Sequence, residues 1–296
     1  MARRREGSFH RLAREGWLTN QHGAWAMMIL PLLVGSILGG LSWRQLLLTV
    51  SWVLAFFFFN ALGLWMKVGS SARRSARRRS PSPSSGRVHL TPRQKESVRR
   101  RQRKYLAPLL TYAALATLGA IGLLILDPGL WVWAPGLAIL FGLSVEEMYA
   151  GRDHSFLARA SAILASQLLT PIAFSLGSHP ADWQRVWIAT AILTIYFVGT
   201  IPYVKTLIRE RENPLWIRVS FTYHVVIVVA AIVLAGTGYL SWWITGLFTV
   251  LVIRAVGFPL LSRHLGHPLR PAVIGFTEFA VSLLVVLTLT VPTTLT

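Results

Sequence analysis

Glu278 is the acid that stands deepest within an apolar run of this chain. It interrupts the apolar run AVIGFTEFAVSLLVVL, whereas Glu146 and Glu147 stand at the inner end of another run and the other eight acids lie outside such runs. A carboxylate in hydrocarbon must pair with a cation, carry a proton or line a wet cavity. His224, in the run RVSFTYHVVIVVA, is its most economical partner, and Lys205 and Arg209 could reach it from a helix end. A carboxylate and an imidazole together can move a proton, as catalytic acid and base or as a proton-coupled carrier. Ser220 stands four residues before His224 and Ser282 four after Glu278, so each lies on a partly polar helix face. Asn60 and Gln167 fall at comparable depth in two further runs. The four positions predict a shared internal cavity that opens toward the cytoplasm and takes a substrate. The plainer reading of Asn60 and Gln167 is hydrogen-bonding glue between helices.

A second group lies at the inner rim. The stretch SVEEMYAGRDHSFLAR (144–159) holds Glu146, Glu147 and Asp153, with Glu146 and Asp153 two helical turns apart. Hard oxygen ligands at that spacing could hold Mg²⁺ through water, or the stretch is an ordinary salt-bridged link. The stretch YVKTLIRERENPLWIR (203–218) offers Tyr203, Lys205 and Arg209 as a clamp for a phosphate or carboxylate. Cations at inner helix ends are also the positional default. The chain has no cysteine, which removes disulfides and thiolate-ligated metals from the options.

Apolar residues make up 53% of the 296 positions and the mean hydropathy is +0.52, yet the formal net charge is +19. Most of the charges fall in short blocks between, or at the ends of, nine apolar runs at 23–42, 45–66, 105–126, 129–147, 156–177, 184–204, 216–236, 238–257 and 272–293. Each is long enough to cross ~30 Å of hydrocarbon as a helix, the form that satisfies its own backbone polar groups. If nine helices alternate, 28 of the 30 Lys and Arg fall on one side, and only Arg44 and Arg185 on the other. The predicted fold is therefore all-α, a nine-helix transmembrane bundle with a cytoplasmic N-terminus and an external C-terminus. A basic arm (1–22) precedes a single transmembrane domain (23–296), in which 68–104 reads as a disordered Arg/Ser/Pro-rich cytoplasmic loop. That loop suits the anionic lipid of an inner leaflet. No aromatic residue interleaves its arginines, which argues against nucleic acid.

The opening NQHGAWAMMILPLLVG resembles the signature of the YwiC-like family of bacterial integral membrane proteins, as do IPYVKTLIRERENP and Thr222 to His224. The resemblance implies a bacterial cytoplasmic membrane and places Asn20, Gln21 and His22 at the mouth of the first helix. There they would face the entrance of the predicted cavity. More loosely, nine helices with long inner links, and a first helix holding Pro31 and Gly35, look like UbiA-type intramembrane prenyltransferases. That resemblance implies Mg²⁺ held against an isoprenoid diphosphate by two Asp-rich motifs. The corresponding places read FFFFNALGLWMKVGSS and YVKTLIRERENP, where Asn60 alone stands at the start of the first motif and no aspartate follows. The expectation is an intramembrane enzyme acting on an isoprenoid or lipid-like substrate. A proton-coupled transporter and a lipid- or partner-binding factor are the alternatives.

Overall fold

The computed structural model describes residues 8–19, 22–79, 90–152, 155–207, 210–211, 213–267 and 271–291. Among these, all regular structure is helical: α1 (Ser8–Glu15), α2 (His22–Gly39), α3 (Trp43–Arg79), α4 (Pro92–Leu126), a 3₁₀ turn (Pro128–Trp133), α5 (Ala134–Tyr149), α6 (Phe156–Gln167), α7 (Leu169–Ser175), α8 (Trp183–Leu207), α9 (Pro214–Gly236), α10 (Trp242–His264) and α11 (Pro271–Thr290). Among the described residues eight helical stretches are long and apolar enough to cross a membrane, and the apolar part of α2, Trp25–Gly39, is shorter. This is a polytopic helical membrane protein. Each of the nine apolar runs coincides with one of these stretches, and the outward faces carry bare Leu, Ile, Val and Trp suited to lipid.

The fifth run is broken. A one-residue interruption at Leu168 separates α6 from α7. Pro171, with no N–H to give and a ring that crowds the carbonyl four residues back, accounts for the break.

The helices form two compact units. The first, Met1–Ala24 with Trp43–Ala165, is built on α3 packed lengthwise against α4. At 1.5 Å per residue these helices run roughly 50 Å each, well beyond the thickness of the hydrocarbon. Phe57 stacks on Tyr112 with ring centroids 5.3 Å apart, and the Tyr112 hydroxyl donates to Trp17 O at 2.8 Å. Further out, Gln102 Nε2 donates to Trp65 O at 3.0 Å.

The stretch read as a disordered loop is largely helical. Residues 68–79 continue α3, 92–104 open α4, and 80–89 lie outside the described residues. Arg, Lys, Gln and Ala are good helix formers, and their charges need no burial on a helix standing in water. Thr91 caps α4 with a complete capping box, its hydroxyl accepting from Gln94 N and the Gln94 side chain accepting from Thr91 N. The arginines of α3 are employed as well. Arg74 donates to Gly151 O at 2.7 Å, and Arg73 donates to Tyr149 O at 3.2 Å while lying over the Tyr149 ring. Both place a cation at the C-terminus of α5, where the helix dipole favours it. Thr91→Ala should cost about 1 kcal/mol of local stability. Hydrogen exchange of the first turn of α4 should then rise roughly fivefold.

The second unit, Trp25–Ser42 with Ser166–Thr296, holds α2 and α7 to α11. Here α9 packs on α10 and on α8, whose side chains are buried along most of its length. α2 crosses α7 backbone to backbone. Gly35 lies against the Thr170 carbonyl and Gly39 against Phe174, where a β-carbon would meet Phe174 O at 2.5 Å. Ser166 Oγ donates to Met27 O, and Ser42 Oγ to Leu176 O at 2.5 Å. Small residues at a helix crossing are what close approach in a membrane requires.

Candidate functional site

The charge that meets Glu278 is Arg254. It lies on α10 in the run TVLVIRAVGFPLL, its side chain only 3% accessible, and its Nη1 donates to Glu278 Oε2 at 2.7 Å. Arg254 is one of the 28 basic residues that nine alternating helices would put on the cytoplasmic side. Instead α10 continues to His264 and carries Arg254 inside the unit. A guanidinium tolerates this position because it is paired and stacked. Its carbon stands 4.3 Å from the Tyr203 ring centroid and 5.8 Å from that of Tyr196. Those tyrosines are seven residues apart on α8, two turns along one face. The Tyr196 hydroxyl reaches Ser282 Oγ at 3.4 Å, one turn beyond Glu278 on α11. Three helices therefore close around one ion pair.

The pair is incompletely satisfied. Arg254 Nε and Nη2 are buried without a hydrogen-bond partner among the described residues, and the Tyr203 hydroxyl is buried beside Glu278 Oε1, the acceptor it can donate to. An unpartnered buried N–H costs about 1–3 kcal/mol, so the two spare guanidinium nitrogens ask for an acceptor that completes them. Chemically the cluster is an arc of guanidinium N–H groups and a phenol beside a carboxylate that can hold or release a proton.

His224 is not the direct partner expected for Glu278. Its Nδ1 lies 2.7 Å from Ser220 O, and a carbonyl only accepts, so Nδ1 carries the hydrogen. On the neutral ring Nε2 is then free to accept. It faces Gly199 on α8, where a β-carbon would stand 3.3 Å from Nε2 and 2.7 Å from Tyr223 Cε1. The ring borders a pocket of about 10 Å³ lined also by Tyr196, Tyr223, Phe248 and Leu251, space for about one water. Tyr196 thus touches both the His224 pocket and the ion pair. The Ser220 hydroxyl is buried without a partner among the described residues.

The remaining candidates divide. Tyr203, read as a rim residue, is fully buried under Arg254. Gln167 is 1% exposed, and among the described residues both its amide atoms lack a partner, as does the Thr170 hydroxyl one turn on. Asn60 belongs to the first unit, where its Nδ2 donates to Leu18 O at 3.3 Å. Lys205 lies over the Trp216 ring at 3.4 Å, drawn to its π-face. Glu147 is buried and grips its own link. Arg152 donates to it through Nη2 at 2.6 Å and Nε at 3.2 Å, and Ser155 Oγ donates at 2.5 Å. The hydrogen bonds and charge of Glu147 raise the pKa of Arg152 further above its ordinary value. Glu146 is exposed. Asn20, Gln21, Asp153 and Arg209 lie outside the described residues, as does the side chain of His22, the first residue of α2. No three metal-ligating side chains gather among the described residues.

A family model described as "YwiC-like protein" matches residues 18–174, more than half of the chain. The chain belongs to the YwiC-like family. The uncharacterized protein YwiC of Bacillus subtilis (strain 168) is 22% identical over 233 residues, which cover 76% of this chain and 81% of that protein. No solved structure matches the chain. Within this YwiC-like protein the family match spans α2 to α7, including Gln167 and Thr170, whereas Arg254 and Glu278 lie beyond it. A buried Arg inside the 238–257 run was the available signal for the cluster, since an arginine in an apolar run of that length needs an acid to face.

Proposed function

We propose that the protein is an enzyme of the bacterial cytoplasmic membrane acting on an isoprenoid or other lipid-like substrate with a polar or anionic head. The observation that supports this reading is the half-satisfied Arg254–Glu278 pair. Arg254 and Tyr203 bind the head, Glu278 transfers a proton, and His224 Nε2 takes or returns it through Tyr196 and water. Intramembrane ionisable groups with spare hydrogen-bonding capacity mark substrate or ion paths. A second reading, a proton-coupled carrier using the same residues, is favoured by the size of the pocket beside His224. It admits a water and no acyl or isoprenyl chain.

Lipid and metabolite profiles of a deletion strain carrying the wild type, Glu278→Gln or His224→Ala test the proposal. The enzyme reading expects one product lost and its precursor raised in both variants, at wild-type levels of inserted protein. The carrier reading expects proton-driven uptake into vesicles that both substitutions abolish. Wild-type profiles and uptake in both variants would overturn the two together.

A further inference from the structure

The basic ends of α3 and α4, on the first unit, enclose a concavity of about 500 Å³, within the range of small-molecule sites. Lys67 enters it from α3 and Arg101 from α4, with the hydroxyls of Ser71, Ser75 and Ser97 and the amide of Gln94 around them. Its other end is apolar, floored by Leu64 and the buried Tyr105, where the membrane-spanning parts of the two helices begin. From Leu64 to Ser75 the wall runs roughly 16 Å at 1.5 Å per residue. No carboxylate lines the concavity, and the 68–104 stretch contains a single acid, Glu96. Among the described residues neither Lys67 nor Arg101 has an ion-pair partner. Two unneutralised cations on opposing walls, hydroxyl and amide donors between them, and an apolar floor at the membrane edge match one ligand chemistry. It is a phosphate diester joined to a greasy tail.

We infer that this concavity binds the head of an anionic phospholipid, its phosphate between Lys67 and Arg101 and its glycerol end against Leu64 and Tyr105. The inference rests on the membrane placement of the chain and is independent of the Arg254 centre. Basic pockets at this level are suited to anionic heads, with each cation contributing about fivefold in affinity. The bound head would also hold the two basic helices together against their mutual repulsion.

The test uses the full-length protein purified in a zwitterionic detergent and titrated with phosphatidylglycerol, read by native mass spectrometry. The Lys67→Gln/Arg101→Gln variant should bind at least tenfold more weakly than the wild type. Arg93→Gln/Arg100→Gln, an equal loss of charge at exposed positions outside the concavity, should change affinity less than threefold. Ser71→Leu, which fills the concavity and keeps both cations, should also lose binding and serves if the double variant does not fold. Equal loss in the two charge variants would overturn the site in favour of diffuse attraction. Glycerol phosphate competing as strongly as the lipid would overturn the lipid as its occupant.

Discussion

Arg254→Met is expected to destabilise the protein by about 3–5 kcal/mol, the usual consequence of leaving one member of a buried ion pair without the other. Glu278 would lose Arg254, the one cation that its carboxylate bonds among the described residues. Glu278→Leu should be about as harmful, because it strands a guanidinium that is 3% accessible. The combination Arg254→Met/Glu278→Leu removes both charges and replaces them with apolar groups of similar reach. It should recover most of the loss, since such replacements of buried pairs are often neutral or stabilising. Unfolding midpoints of the four proteins in one detergent give the coupling energy directly. Additive losses in the double variant would show that the two side chains do not act as a pair.

Gly35→Leu is expected to cost about 3 kcal/mol or more, at the upper end for overpacking. The obstacle to a β-carbon there is the Thr170 carbonyl, with the Ala173 β-carbon at 3.0 Å. A backbone carbonyl cannot swing aside as a side chain can, so α2 would have to leave α7. Gly122→Ala and Gly142→Ala make the contrast, since a β-carbon at either meets nothing within 4 Å. Alanine in a helix interior there should be neutral or stabilise by about 0.5–1 kcal/mol. Yields of membrane-inserted protein and unfolding midpoints check both expectations. A Gly35→Leu protein as stable as the wild type would remove the crossing from the account.

The membrane-spanning helices were legible because hydrocarbon permits little else: an apolar run of about 20 residues must be helical. Periodicity and hydropathy say less about where such a helix stops in water. The basic ends of α3 and α4 were read as a disordered loop from their charge, although T-P-R-Q at 91–94 spells a capping box. The site was half legible. Glu278 and His224 stand out in the sequence as isolated polar residues and Tyr203 as part of a rim clamp, and the structure sets Tyr203 directly over the guanidinium that pairs with Glu278. Arg254 was missed because a cation near the end of an apolar run looks the same whether the helix stops or continues. Its acid is 24 residues away on the next helix. Which side chains face one another across helices is a matter of rotation about each helix axis. Low amphipathicity along α8 to α11 leaves that rotation unmarked in the sequence.

On the proposed function, the Arg254–Glu278 pair serves a substrate rather than only holding helices together. The decisive measurement is the lipid and metabolite profile of a deletion strain carrying Arg254→Met/Glu278→Leu at wild-type levels of folded, inserted protein. The account predicts a profile indistinguishable from the deletion strain. A profile matching the wild type would contradict it and leave the pair a structural clasp.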